Sequence, residues 1–186
     1  GKVTNRPGRP TVEFLTMACN VEQNYDALRA AWGKVTSRND GTYWCVFNFD
    51  ASGKVLQVKS TGEDGFSGLV NALSDDEVAF GAFLVKGIDD RGSTVSEREK
   101  YVAFSWIGES VSVMKKARVS VQKKEVLRIF DGCGMNIEII DRESFTPKYV
   151  TQILLKSGGA HKPTYYQFGP SDSDKIDLNF YESGDA

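Results

Sequence analysis

Apolar residues recur along this chain with two periods, and the switches between them mark out its elements. Val21, Tyr25, Leu28, Trp32 and Val35 follow one another at steps of three and four, which gives a helix one apolar face to lay on a sheet. Asn20, with Gln23 three residues on, reads as a capping box at its start. Residues 43–49 are rich in aromatic and β-branched side chains, Asp50-Ala51-Ser52-Gly53 supplies a turn, and a second run covers 55–58, so a hairpin is expected there. Phe66, Leu69, Val70 and Leu73 suggest a short helix. The run 78–85 is apolar on both alternating faces, as in a central strand covered above and below.

Residues 101–107 give a further aromatic-rich strand, Ser110 opens a long helical stretch through Phe130, and 136–140 reads as a short strand. Thr146-Pro147 starts a last helix, because proline lacks only an amide that the first turn cannot use. Tyr149, Val150, Ile153 and Leu154 form its expected buried face, and Gly158-Gly159 ends it. The sum is an α/β sandwich (an α+β layering), a central sheet flanked by helices on both faces.

Length and charge narrow this further. The 186 residues suit one domain, and a net charge of -2 argues against general nucleic-acid binding. Cys19, Cys45 and Cys133 show no CxxC spacing, so neither a disulfide framework nor a zinc site is expected, and a reducing cytosol fits best. No apolar run is long enough to span a membrane and no leader opens the chain, which begins at Gly1. Residues 1–10 hold Lys2, Arg6 and Arg9 without an acid, while 171–186 hold five acids against Lys175. With the Gly/Pro-rich stretch after 158, this divides the chain into an N-terminal extension (1–20), a folded body (21–160) and an acidic C-terminal tail (161–186). The tail could compete for basic surface elsewhere on the protein; the alternation of Ile176, Leu178 and Phe180 also fits an added edge strand, and a disordered tail is the third reading.

Reactive chemistry is sparse. The single histidine, His161, falls in the expected tail and reads as a solvated residue, and Asp75-Asp76-Glu77 and Asp89-Asp90 read as solvated turns. No phosphate-loop or metal-ligand spacing accompanies them, so no catalytic residue, cofactor or metal is expected and the protein is not read as an enzyme. Positive charge does gather: Lys115, Lys116, Arg118, Lys123, Lys124 and Arg128 stand against Glu125 alone. On a continuous helix Ser112, Lys115, Lys116 and Lys123 share one face, expected to face solvent or a partner, with Val113, Ala117 and Val121 on the other. Val119 falls inside the basic stripe, as an apolar interface anchor would. A helix break at Ser120 would instead turn it inward.

The block Tyr101-Val102-Ala103-Phe104-Ser105-Trp106-Ile107-Gly108-Glu109-Ser110-Val111, then Lys116-Ala117-Arg118, Ile140-Asp141-Arg142 and Leu155-Lys156-Ser157-Gly158-Gly159-Ala160, resembles the coactosins, a branch of the actin-depolymerising-factor homology family. Arg29-Ala30-Ala31-Trp32 and Asp40-Gly41 extend the resemblance forward, to about residues 21–162. It implies the family fold, with a mixed sheet of five to six strands. It also implies binding to the side of actin filaments without severing, in competition with cofilin-type proteins, by a monomer in the cytoplasm at the actin cytoskeleton. The long helix with Lys115, Lys116, Arg118, Val119 and Lys123 would face actin, and Lys100 and Lys156 match a basic cluster used for filaments. Arg98 belongs to the same cluster, here between Glu97 and Glu99 where the family often carries a more basic or neutral run. Two alternatives remain: a homology module that recognises monomeric actin or the actin-branching complex, and an enzyme whose cofactor site carries no recognisable motif.

Overall fold

The structure, a computed structural model, describes residues 19–159, 161–179 and 181. A 3-10 turn at Glu22–Asn24 leads into α1 (Tyr25–Thr36). Asn20 Oδ1 accepts from Gln23 N at 3.0 Å, one of the two bonds of the expected capping box. Leu28, Ala31, Trp32 and Val35 are the buried face, and Tyr25 stays exposed at the helix start. β1 (Trp44–Phe49) and β2 (Leu56–Gly62) form the expected antiparallel hairpin. Its turn is tied by the Asp50 carboxylate, which accepts from Ser52 Oγ, Lys54 N and Val55 N.

α2 (Gly65–Ala72) precedes β3 (Val78–Asp90) and β4 (Val95–Ile107), which pair antiparallel through thirteen residues and run well past the stretches that hydrophobicity marks. Their shared lower half is largely polar, which is why the apolar pattern stops short of it. α3 (Val113–Leu127), β5 (Met135–Ile139) and α4 (Pro147–Ser157) follow. The strand order is β2-β1-β3-β4-β5, antiparallel except for the parallel β4–β5 pair.

Side chains alternate across this sheet and build two cores. Phe47, Phe80, Ala82, Leu84 and Ala103 meet α1 and α3 on one face. Val46, Ala79, Phe83, Val85, Val102, Phe104 and Trp106 meet α2 and α4 on the other. There the rings of Phe66, Phe83, Phe104 and Phe145 contact one another, with Phe66 and Phe145 centroids 4.8 Å apart. Each such ring contributes about 1.5–3 kcal/mol through burial alone.

The segment expected to be an acidic tail is part of the sheet. β6 (Tyr165–Gln167) pairs antiparallel with Lys86, Gly87 and Ile88 of β3, and β7 (Lys175–Asp177) pairs with β6, so the sheet has seven strands rather than five or six. One edge of β3 belongs to β4 throughout; on the other, β1 pairs with Ala79 to Phe83 and β6 with Lys86 to Ile88. Tyr166, Phe168 and Leu178 are buried in the core beneath α2 and α4. Phe168 O accepts from Phe66 N at 2.9 Å, and Gly65, at φ +75°, would place a Cβ 2.7 Å from Gly169 Cα. The acids are engaged locally: Asp172 pairs with Lys175 and Asp174 accepts from Ser171 N. His161 is held to Asp89 at 3.1 Å instead of lying free. Residues 164–178 therefore do not reach for α3, which lies across the sheet from their buried side chains; of the readings above, the edge strand is the one realised for Ile176, Leu178 is buried just past the strand end, and Phe180 is outside the described residues.

Phe168→Ala should lower stability by about 3–5 kcal/mol, the range for removing a buried phenylalanine, and removing residues 161–186 should lower the melting temperature at least as much. Chemical and thermal denaturation followed by circular dichroism checks this; an unaltered melting curve would mark the segment as an appendage.

Candidate functional site

α3 is aimed by the junction that precedes it. Trp106 is fully buried and donates from Nε1 to Ser74 O at 2.8 Å. The Arg142 guanidinium lies 5.2 Å from the Trp106 ring centroid and donates to Val70 O, Leu73 O and Asp75 Oδ1, closing the end of α2 against the same loop. Gly108 N donates to Glu77 O and Ser110 N to Asp75 O. A Cβ on Gly108 would sit 2.2 Å from Asp75 O, so the chain passes only where that residue has no side chain. The Trp-Ile-Gly-Glu block is thus a structural joint. Ser112, two residues later than the expected start, caps the helix by accepting Lys115 N at 3.4 Å.

The far end of α3 is fastened to α1. Arg29 donates to Ile129 O at 2.7 Å and pairs with Asp131 at 2.5 Å, and Trp32 Nε1 reaches Asp131 Oδ1 at 3.1 Å. The Arg29 guanidinium, helped by the Trp32 N–H, holds the Asp131 carboxyl below its ordinary range.

Between these joints the helix is continuous but rotated relative to expectation. Val119, Gln122 and Val126 face the sheet, and Val119 is only 2 % exposed. Val119 is core, not an interface anchor, and it is buried without any helix break at Ser120. Val113 is 83 %, Met114 68 % and Val121 40 % exposed, and Ala117 is exposed with them. Apolar residues lie on both sides of this helix, so their period establishes a helix and leaves its rotation undetermined. Three buried side chains suffice to seat it. The outward ridge Val113, Met114, Ala117 and Val121 is rimmed by Lys116, Ser120 and Lys124 along one flank and by Arg118 on the other. Lys115 and Lys116 are exposed, Arg118 is half-buried, and Lys123 is drawn over β5 to pair with Glu138 at 3.3 Å. The apolar ridge is the part that the sequence reading missed. Its signal, apolar residues at i, i+4 and i+8 (113, 117 and 121), was present but assigned to the core.

Arg98 and Lys100 on β4, and Lys156 on α4, belong to the other side of the sheet. On β4, Arg98 and Lys100 alternate with Glu97 and Glu99, whose carboxylates lie on the opposite face and are already paired, Glu97 with Lys86 at 3.1 Å and Glu99 with Arg38 at 3.4 Å. The Tyr101 hydroxyl also donates to Glu99, and burial beside that carboxylate pushes the Tyr101 phenol up to about 12. The two acids therefore do not neutralise Arg98 and Lys100. Arg98 and Lys100 share the face of Val102 and Phe104, on which α4 packs through Val150 and Leu154. Because β5 runs parallel to β4, α4 must run back along them. Its eleven residues rise about 16 Å, which carries Lys156 toward the end of β4 that bears Lys100. The eight expected residues thus separate into one group on α3, one at the end of α4 and β4, and Val119 in the core.

Val119→Ser should cost about 1.5–3 kcal/mol of stability, as expected for loss of a buried valine, while Met114→Ser should leave the melting temperature within about a degree or two of the wild type. Differential scanning calorimetry of the two variants checks the rotation of α3 directly.

The family model for cofilin/tropomyosin-type actin-binding proteins matches residues 21–154. Coactosin of Dictyostelium discoideum is 29% identical over 135 residues, covering 72% of this chain and 88% of its own. The human coactosin-like protein superposes with a TM-score of 0.63 at 24% identity, over 70% of this chain and 95% of its own. Mouse coactosin, described as an actin filament binding protein, superposes at 0.58 and 24% identity over 74% of this chain and 92% of its own. The matched region contains the joint at Trp106, all of α3 and the Arg98–Lys100 stretch, and by it the chain belongs to the cofilin/tropomyosin-type actin-binding protein family.

Proposed function

We propose that this protein binds the side of actin filaments in the cytoplasm, as a monomer and without severing them, and that it competes there with cofilin-type proteins. The observation that carries the reading is the exposed apolar ridge Val113, Met114, Ala117 and Val121 set inside basic side chains. Desolvating such a ridge supplies affinity, while Lys115, Lys116, Arg118 and Lys124 steer it onto an acidic partner. Membership of an actin-binding family names the partner, and the likeness to coactosins favours the filament over the monomer.

Arg98, Lys100 and Lys156 would make a second contact, across the sheet from α3, of the kind a filament can offer and a single actin monomer cannot. Lys123, held by Glu138, contributes less than its position in the sequence suggests. Competition follows if α3 occupies the same actin surface as the equivalent helix of a cofilin-type protein.

Lys100→Glu and Lys156→Glu should each weaken filament binding about tenfold or more, while stability shifts by about 0.5 kcal/mol or less for the exposed Lys156 and by about 1 kcal/mol for the half-buried Lys100. Met114→Ser should weaken binding to filaments and monomers alike, and the two lysine variants should weaken filament binding selectively. Co-sedimentation with filaments, paired with a monomer-binding assay, reads both; equal losses of binding and melting temperature in the lysine variants would show them to be structural.

A further inference from the structure

Cys19, the first described residue, already touches α3: its thiol lies 3.9 Å from the Gln122 carbonyl oxygen. The next residue sets a direction. Asn20 bridges Val55 in parallel, with Asn20 N donating to Lys54 O at 2.7 Å and Leu56 N to Asn20 O at 3.0 Å. A parallel bridge at the start of β2 sets Cys19 on the Lys54 side of Asn20, the side of the β1–β2 turn at 50–53. Beside that turn, between it, residues 76–78 and the first half of α3, is a cleft of about 190 Å³ lined by Phe49, Asp50, Asp76, Lys115, Arg118 and Gln122 among others.

The cleft has an unmet requirement. Arg118 Nε is shielded from solvent and has no acceptor among the described residues. A shielded donor without an acceptor forfeits its hydration. The nearby carboxylates do not serve it: Asp50 accepts from its own turn, and Glu77 accepts from Lys59, Asn48 and Ser74 N. The chain before Cys19 has the complementary chemistry. Residues 12–18 read Val-Glu-Phe-Leu-Thr-Met-Ala, and Arg6 and Arg9 precede them. Seven extended residues span up to about 25 Å. The rise of α3 from Gln122 back to Val113 is only about 13 Å, so the segment is long enough to run the length of the cleft and reach Met114.

We propose that residues 12–18 are an intramolecular ligand of this cleft. A backbone carbonyl of the segment accepts from Arg118 Nε, Phe14 or Leu15 fills the apolar side against Phe49, and Arg9 or Arg6 faces Asp76. Docked there, the segment overlaps Lys115, Arg118 and the start of the apolar ridge, and so competes with a filament for α3. The docking itself is independent of what α3 binds, whereas the competition rests on the filament reading above.

The test uses the full chain. Hydrogen exchange is measured by mass spectrometry on the wild type, on a Phe14→Ser/Leu15→Ser double variant and on a Val3→Ser control, alongside filament co-sedimentation. The double variant should speed exchange in residues 50–53 and in α3, and tighten filament binding by about five- to tenfold, with the control unchanged. Arg118→Ala should speed exchange within residues 12–18. Exchange identical to wild type in the double variant overturns the docking, whatever the filament result. Faster exchange with unaltered filament affinity supports the docking and overturns the competition. Faster exchange with no filament binding by any of the proteins supports the docking and overturns the filament reading.

Discussion

β3 has to be covered on both faces and along both edges, and the rest of the molecule follows from meeting that requirement. Its residues are buried on either side, Phe80, Ala82 and Leu84 toward one core and Ala79, Phe83 and Val85 toward the other. A strand of this composition is stable only between two apolar layers, so α1 and α3 are needed on one side and α2 and α4 on the other. β4 closes one edge over its whole length, and the other is divided between β1 and β6. The C-terminal strands are therefore completing the sheet. They bury a free stretch of backbone that would otherwise present unpaired donors and acceptors to solvent.

The surfaces proposed to meet actin are by-products of this layering. α3 needs only Val119, Gln122 and Val126 to cover its part of the sheet, which leaves a long outward face free to carry apolar residues that no internal contact requires. The joint of Trp106, Gly108 and Arg142 at one end and the Arg29–Asp131 pair at the other hold that face in position. Across the sheet, the parallel β4–β5 pair turns α4 back along β4, toward the strand end that carries Lys100. Two separate basic groups on opposite faces suit a partner that offers more than one surface, as a filament does.

The sequence carried most of the architecture. The strong signals were local: the Asp50 turn, the Thr146-Pro147 start of α4, and the two-faced apolar run of β3. The misreadings have two physical sources. On α3 the apolar residues fall on both sides, so periodicity could place the helix but not its rotation, and Val119 was assigned outward while Val113, Ala117 and Val121 were assigned inward. In the C-terminal segment the strands are three residues long and lie between Gly/Pro-rich stretches, so composition suggested a tail, although Tyr166, Phe168 and Leu178 supply long-range burial that no local window can detect. The acids flanking Arg98 carried the opposite lesson, since their cross-strand and inter-element partners, Lys86 and Arg38, are visible only once the chain is folded.

The central claim, that α3 and the Arg98, Lys100 and Lys156 group together recognise a filament, is tested most directly by co-sedimentation of the unmodified protein with filamentous actin over a salt series. Basic groups at a partner's acidic surface predict saturable pelleting at low ionic strength that weakens as the Debye length shrinks from about 10 Å at 0.1 M, while the apolar ridge preserves a residual, salt-insensitive component. Protein that stays in the supernatant at low salt, while binding monomeric actin in a parallel assay, would contradict the account.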